Sequence, residues 1–199
     1  MRNFSKNIVI VLLALFLVSP AFAQDKRSLE TKVADILAQF PAQNGDYASK
    51  LMQQMVETGD AGITRFCDMI IAPGTGNDAQ ARMALESLAQ YAGAPNHSAE
   101  KLLVEKSLLS ALEKTSDKEV KAFFIRRLQY CGSNESVSKL GKYLNSSDLY
   151  APALAALTKI GTPEAGALIL NSVADKKDQP LIAMIKSLGD LKYQLAETA

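Results

Sequence analysis

Three leucines set the terms for this chain: Leu128, Leu157 and Leu188, separated by 29 and 31 residues. Around each, the same short pattern returns. Asp117-Lys118-Glu119-Val120-Lys121 leads to Leu128 and then Gly132; Asp148 leads to Leu157 and Gly161; Asp178 leads to Leu188 and Gly189. An aspartate that can cap a helix start, a leucine near the helix end and a glycine that lets the chain turn describe one unit repeated. A period of a few tens of residues points to units that cannot bury their apolar faces alone and must stack on copies of themselves. An earlier copy runs from Asp78 to Gly93, where Leu88 and Tyr91 echo Leu128 and Tyr130 with one residue inserted.

Between these marks the apolar residues recur at three and four positions, with no sustained alternation and no hairpin-bounded β-branched runs, so the chain reads as all-α. Glycine and proline punctuation divides it into helices at roughly 28–40, 46–58, 60–71, 78–92, 98–115, 118–131, 134–145, 148–160, 163–174 and 179–188. Thr162-Pro163-Glu164 opens one of them with a capping hydroxyl, a proline at the first helical position and an acid at the positive dipole end.

With these residues in view, residues 117–190 resemble tandem HEAT repeats of the short subclass, about thirty residues long, also found in phycobilisome lyases. That subclass is similar to Asp-Pro-Glu-Val-Arg-Arg-Ala-Ala, then Ala-Leu-Gly-x-Ile-Gly, then Asp-Pro-Glu-Ala. Asp117 to Lys121 and Ile160-Gly161-Thr162-Pro163-Glu164-Ala165 follow it closely. The resemblance implies an α-solenoid, a right-handed superhelix of stacked antiparallel helix pairs. It departs at the arginine, whose place is taken by Lys121, Tyr150 and Leu181, so the polar ladder of aligned arginines in such arrays is expected to be broken. Residues 24–75 fit the repeat poorly and read as an N-terminal helical cap, with HEAT-like repeats over 76–199. The last copy stops as its second helix would begin, leaving Ile185, Leu188 and Leu191 thinly covered. Either the array is truncated from a longer one, or 191–199 forms a short closing helix.

The N-terminus carries a different signal. Arg2 and Lys6 precede eleven apolar residues, Ile8 to Val18, and then Ala21-Phe22-Ala23. This is the three-part pattern of a secretory signal peptide, 1–23, cut between Ala23 and Gln24. An apolar run of that length falls short of the ~20 residues a membrane span requires. The expected location is periplasmic or secreted, with no membrane span in the mature chain. Removing 1–23 takes away two basic groups and no acidic ones from 22 and 21, so the mature net charge is −1. That balance supplies no basic surface for phosphate neutralisation and argues against a nucleic-acid partner.

No catalytic constellation stands out, and no catalytic residue, metal ligand or cofactor is assigned. His97, the only histidine, sits in the turn Pro95 to Ser98 with no ligand spacing nearby. Gly74-Thr75-Gly76 lacks the Gly-Lys-Ser/Thr of a phosphate loop, and Asp78 would repel an anion. Acid pairs such as Glu113 with Asp117, or Asp175 with Asp178, read as solvated caps. In Phe123-Phe124-Ile125-Arg126-Arg127 the bulky residues are expected to pack and both arginines to stay in water, with a recognition patch as the sharper alternative. Cys67 and Cys131 enter an oxidising compartment, which invites a disulfide. However, two stacking steps of 8–10 Å place them beyond disulfide reach, which favours two buried free thiols.

The row of successive second helices has the best claim to function, because stacked repeats expose it as an extended groove. In helix 134–145, Val137, Leu140 and Leu144 make the buried stripe and leave Glu135, Ser138 and Lys142 opposite. The equivalents one repeat later are Glu164, Ala167 and Asn171. That polar, weakly charged face suits a protein or a glycan partner, or is merely wet. The expected function is an exported scaffold mediating protein–protein interaction without catalysis. The alternative is the N-terminal accessory module of a larger exported carbohydrate-active enzyme, as the resemblance allows. A bilin lyase would also follow from the repeat subclass, but export and the lack of a bilin-handling cluster argue against it.

Overall fold

Short polar side chains start the helices. In the computed structural model, which describes residues 27–174 and 176–192, Ser28 Oγ accepts from the Thr31 N–H at 3.1 Å and opens α1, Leu29–Leu37. Asn44 Oδ1 accepts from the Tyr47 N–H at 2.9 Å and opens α2, Gly45–Glu57. Helices α3 (Gly59–Asp68), α4 (Ala79–Ala92) and α5 (Ser98–Lys114) follow. Asp117 then takes the N–H groups of Glu119 and Val120, each at 2.9 Å, at the head of α6, Lys118–Cys131. Such caps satisfy donors that the first helical turn leaves without partners. The chain continues through α7 (Asn134–Leu140), a 3-10 turn at Gly141–Asn145, α8 (Tyr150–Ile160), α9 (Pro163–Val173) and α10 (Asp178–Asp190). Among the described residues there is no strand, so the fold is all-α. The expected signal peptide 1–23 with its cut at Ala23 and Gln24, Asp175, and the closing segment beyond Lys192 lie outside the described residues.

The aspartates of the repeat do not act alike. Asp117 caps as expected, but α8 begins after Leu149, with Ser146 Oγ accepting from the Leu149 N–H at 3.2 Å. Asp148 instead lies 3.5 Å from Lys118 Nζ, where an ion pair takes the carboxylate away from its own helix. Asp178 is the first residue of α10 at φ +54, and no side chain caps that helix. The glycines differ too. Gly161 has φ +70, the left-handed conformation that ends a helix and is open to a residue without Cβ. Gly132 has φ −70 and is needed for space: a Cβ there would stand 2.6 Å from both Leu128 O and Ile160 Cδ1. The expected helix 134–145 divides at Gly141, where the chain tightens into the 3-10 turn, yet Val137, Leu140 and Leu144 remain buried as one stripe.

Alternate helices touch. Helix α2 packs on α4, α4 on α6, α6 on α8 and α8 on α10, while α1 packs on α3, α3 on α5, α5 on α7 and α7 on α9. These contacts form two rows, and the core runs between them. Leu51, Met55, Phe66, Leu85, Leu108 and Phe124 fill it, each fully buried. Leu128 and Leu157, two of the three repeat leucines, are completely excluded from solvent. Leu188 is only half-buried, and α10 as a whole buries just Met184 and Ser187. Gly93, at the end of α4, shows how close neighbours within a row come: a Cβ on it would fall 2.1 Å from Tyr130 O of α6.

Candidate functional site

The five polar residues singled out from the sequence all reach solvent. Glu135 and Ser138 lie on α7, Lys142 on the 3-10 turn, and Glu164 and Asn171 on α9. These elements are packed on one another, so the five share a stretch of one row, with Ala167 half-buried among them. Lys142 Nζ sits 5.1 Å from the centre of the Tyr143 ring, a geometry in which the ring face attracts the ammonium. Beside it, Lys139 Nζ donates to Glu113 Oε1 at 2.5 Å and ties α7 to α5. That contact holds the Glu113 carboxyl below the ordinary glutamate range and lifts Lys139 above the ordinary lysine range.

Two grooves, in contrast, lie on the other row. One of about 540 Å³ runs between α8 and α10, walled by Tyr150, Ala151, Ala155, Lys159, Lys186 and Asp190. A second, of about 440 Å³, runs between α2 and α4 beside Ala48, Met83 and Gln90. None of the five sequence-chosen residues lines either one. Each of these grooves lies between two helices of a row, so its place depends on packing and not on the polarity of one helix face.

Glu105 is the polar feature that sequence reasoning missed. It is 1% exposed in the middle of α5, and its Oε1 accepts four hydrogen bonds. The donors are the Ser133 N–H at 2.7 Å and its hydroxyl at 2.8 Å, and the Ser136 N–H at 3.1 Å and its hydroxyl at 2.5 Å. A buried carboxylate survives only when its lone pairs are filled and positive partial charge surrounds it. Here the N-terminus of α7 provides both. Two serines three apart ahead of the Val137 stripe were the only sequence trace of this arrangement.

A second polar knot joins α4 to α6. Arg127 is 7% exposed, which corrects the expectation that Arg126 and Arg127 both stay in water; Arg126 alone does. Its Nη1 lies 2.7 Å from Glu86 Oε2, an ion pair whose N–H is not aligned as a hydrogen bond, and its Nε has no partner. The guanidinium carbon sits 5.1 Å from the centre of the Phe123 ring, and that of Arg82 sits 4.9 Å from it. Arg82 also donates to Asp78 Oδ1 and to Ile71 O, each at 2.8 Å, and Asp78 Oδ2 accepts from the Ile71 N–H at 3.0 Å. Burial works to raise the Asp78 pKa, but the hydrogen bonds from Arg82 and Ile71 outweigh it and hold the carboxyl below the usual aspartate value. With Phe123, Phe124, Ile125 and Arg127 buried, the aromatic-basic run is core and offers no recognition patch.

The remaining candidates are structural. His97 precedes α5, packs against Tyr91 with the ring centres 4.1 Å apart and the planes tilted by 52°, and stands 3.6 Å from Glu100 Oε1. The Gly74-Thr75-Gly76 loop closes on itself through Thr75 Oγ1 and Ala72 O at 2.7 Å, and Asn77 Oδ1 takes the Ala79 N–H at 3.1 Å, so the start of α4 is already served. Cys67 and Cys131 are both buried and unpaired. Burial, aided by the negative charge of Asp68 near Cys67 and of Glu105 near Cys131, pushes each thiol up to about 12. Among the described residues no helix is long and apolar enough to cross a membrane. Comparisons with protein-family models, curated proteins and solved structures give no significant match.

Proposed function

We propose that this chain is an exported α-solenoid of short HEAT-like repeats, capped by residues 24–75, that serves as a protein-interaction scaffold in the periplasm or outside the cell. In this reading it carries out no chemistry of its own. The observation that carries the reading is the alternating contact order, in which each helix meets the next-but-one along two rows. Polar contacts in the C-terminal half repeat with the sequence period: Glu105 bonds to residues 28 and 31 positions on, and Lys176 to Asn145, 31 positions back. A stack of this kind presents an extended surface that is a property of the whole array. The row bearing Glu135, Ser138, Lys142, Glu164 and Asn171 is the binding surface in this proposal. It mixes both charges with neutral polar groups, a pattern met by another protein's polar rim, with a glycan as the other class of occupant.

A photo-crosslinking amino acid placed at Ser138 or Asn171, tested in the native cell envelope, checks the reading. The expected result is a discrete protein adduct at both positions and none from the same group at Arg126, on the other row. Adducts equally abundant at all three positions, or at Arg126 alone, would sink it.

A further inference from the structure

Helix α10 turns an apolar stripe away from the rest of the fold. Ile182 is 60% exposed and Ile185 55%, whereas Met184 and Ser187, on the opposite side, are buried. Asp178, Ile182, Ile185 and Gly189 follow one another at spacings of four, three and four, which places them on a single helix face, and all are exposed. Lys192, just beyond the helix, is exposed as well. Gly189 has nothing within 4 Å of where a Cβ would project, so the stripe is smooth at that end and admits close approach of another backbone. Leu181 and Leu188, half-buried, border the stripe. Two large isoleucines side by side in water are unfavourable, because their apolar surface stays wet.

We propose that this face is a self-association surface, and that two copies of the chain pair through α10 in antiparallel fashion about a two-fold axis at Ile185. Residues equally far before and after Ile185 then face each other across the axis. Ile185 meets its own copy, Ile182 meets Leu188, Leu181 meets Gly189, and Asp178 meets Lys192. The complementarity of the two ends selects a second copy as the occupant. An acid opens the helix and a base follows its end, so only an antiparallel copy brings opposite charges together at both ends, and the two-fold axis makes each pair twice. Antiparallel helix dipoles add to the same preference. Thirteen residues give a helix about 20 Å long, which covers less than the ~800 Å² per partner of a standard interface. The dimer is therefore weak and concentration-dependent. The inference rests on α10 alone and is independent of the binding surface proposed on the other row.

Analytical ultracentrifugation of the full chain purified from its cell envelope, over a wide concentration range, tests this. The expected mass climbs from monomer towards dimer. Ile185→Lys should stay monomeric at every concentration with an unchanged helical spectrum, since the residue is exposed in the monomer. Lys192→Asp should weaken association at least tenfold, and adding Asp178→Lys should recover it. A wild-type chain that stays monomeric overturns the proposal, as does a dimer indifferent to Ile185→Lys or a charge-swapped pair that fails to recover. Dimerisation that appears only after deletion of residues 193–199 would identify the chain's own tail as the occupant and overturn it equally.

Discussion

Glu105 concentrates more of the stability of this fold than any surface acid, because four donors converge on one of its oxygens. Glu105→Ala strands the two serine N–H groups at the head of α7 and should cost about 3 kcal/mol, while Glu105→Gln keeps an acceptor but loses the charge and should cost about 1 kcal/mol. Urea denaturation of both variants checks the order. Asp78 shows the opposite side of carboxylate chemistry. Its pKa in the folded state is depressed, so its contribution is in place above the ordinary aspartate range and is lost as pH falls through the lowered value. The stability gap between wild type and Asp78→Asn should be open at pH 7 and close in strong acid; a constant gap would show that its pairing with Arg82 and Ile71 contributes nothing through charge. The cysteines, with thiols pushed up to about 12, should resist a disulfide reagent at pH 8 in the native state and react as a pair once denaturant opens the core. The buried free thiols were expected from the sequence; the behaviour of the two carboxylates was not legible there. Glu105 lies in a helix between Lys101 and Lys106, and its sequence surroundings suggest a solvated face; only the packing of α5 against α7 turns it inward.

At the scale of the element, the sequence was a good guide to existence and a poorer one to how each helix is closed. Every expected helix is present among the described residues, because three-four periodicity and proline or glycine punctuation are local signals. The caps divided according to competition. Asp117 serves its own helix, whereas Asp148 is drawn to Lys118 of α6. That competitor sits thirty residues away and has no local trace. The Gly161-Thr162-Pro163 turn is the boundary where all local signals agree. Thr162→Ala should lower stability by about 1 kcal/mol through the lost bond to the Ala165 N–H. Gly161→Ala should cost a similar amount through its left-handed φ. A loss below a few tenths of a kcal/mol for both would mean that neighbouring helices hold the turn without help.

For the molecule as a whole, the all-α class was legible from the apolar spacing, and the next-but-one contacts of the helices are the order that the proposed stack of repeats requires. Leu157→Ala tests that register: the residue is fully buried between α8 and its neighbours, so the loss should be ~2–5 kcal/mol. The positions of the grooves were not legible, because they depend on how α8 packs beside α10 and α2 beside α4, contacts between helices that no local signal records. The thinning of the core towards α10, with Met184 and Ser187 its only buried residues, predicts an order of opening. In hydrogen exchange the amides of α10 should lose protection first and those of α5 and α6 last; uniform protection would mean the rows open as one unit. The bonds from Glu105 to Ser133 and Ser136 add a further consequence: they act as a gauge of spacing. One extra residue between Gly132 and Ser133 would leave both serines a residue out of step with Glu105, and inside α7 it would rotate whatever follows by about 100°. The same insertion at Gly74 to Asn77 meets a second gauge, because Asp78 and Arg82 hold the N–H and the carbonyl of Ile71 across that loop. Length variation in this molecule is thus confined by carboxylates at two places, the loop ahead of α4 and the residue ahead of α7.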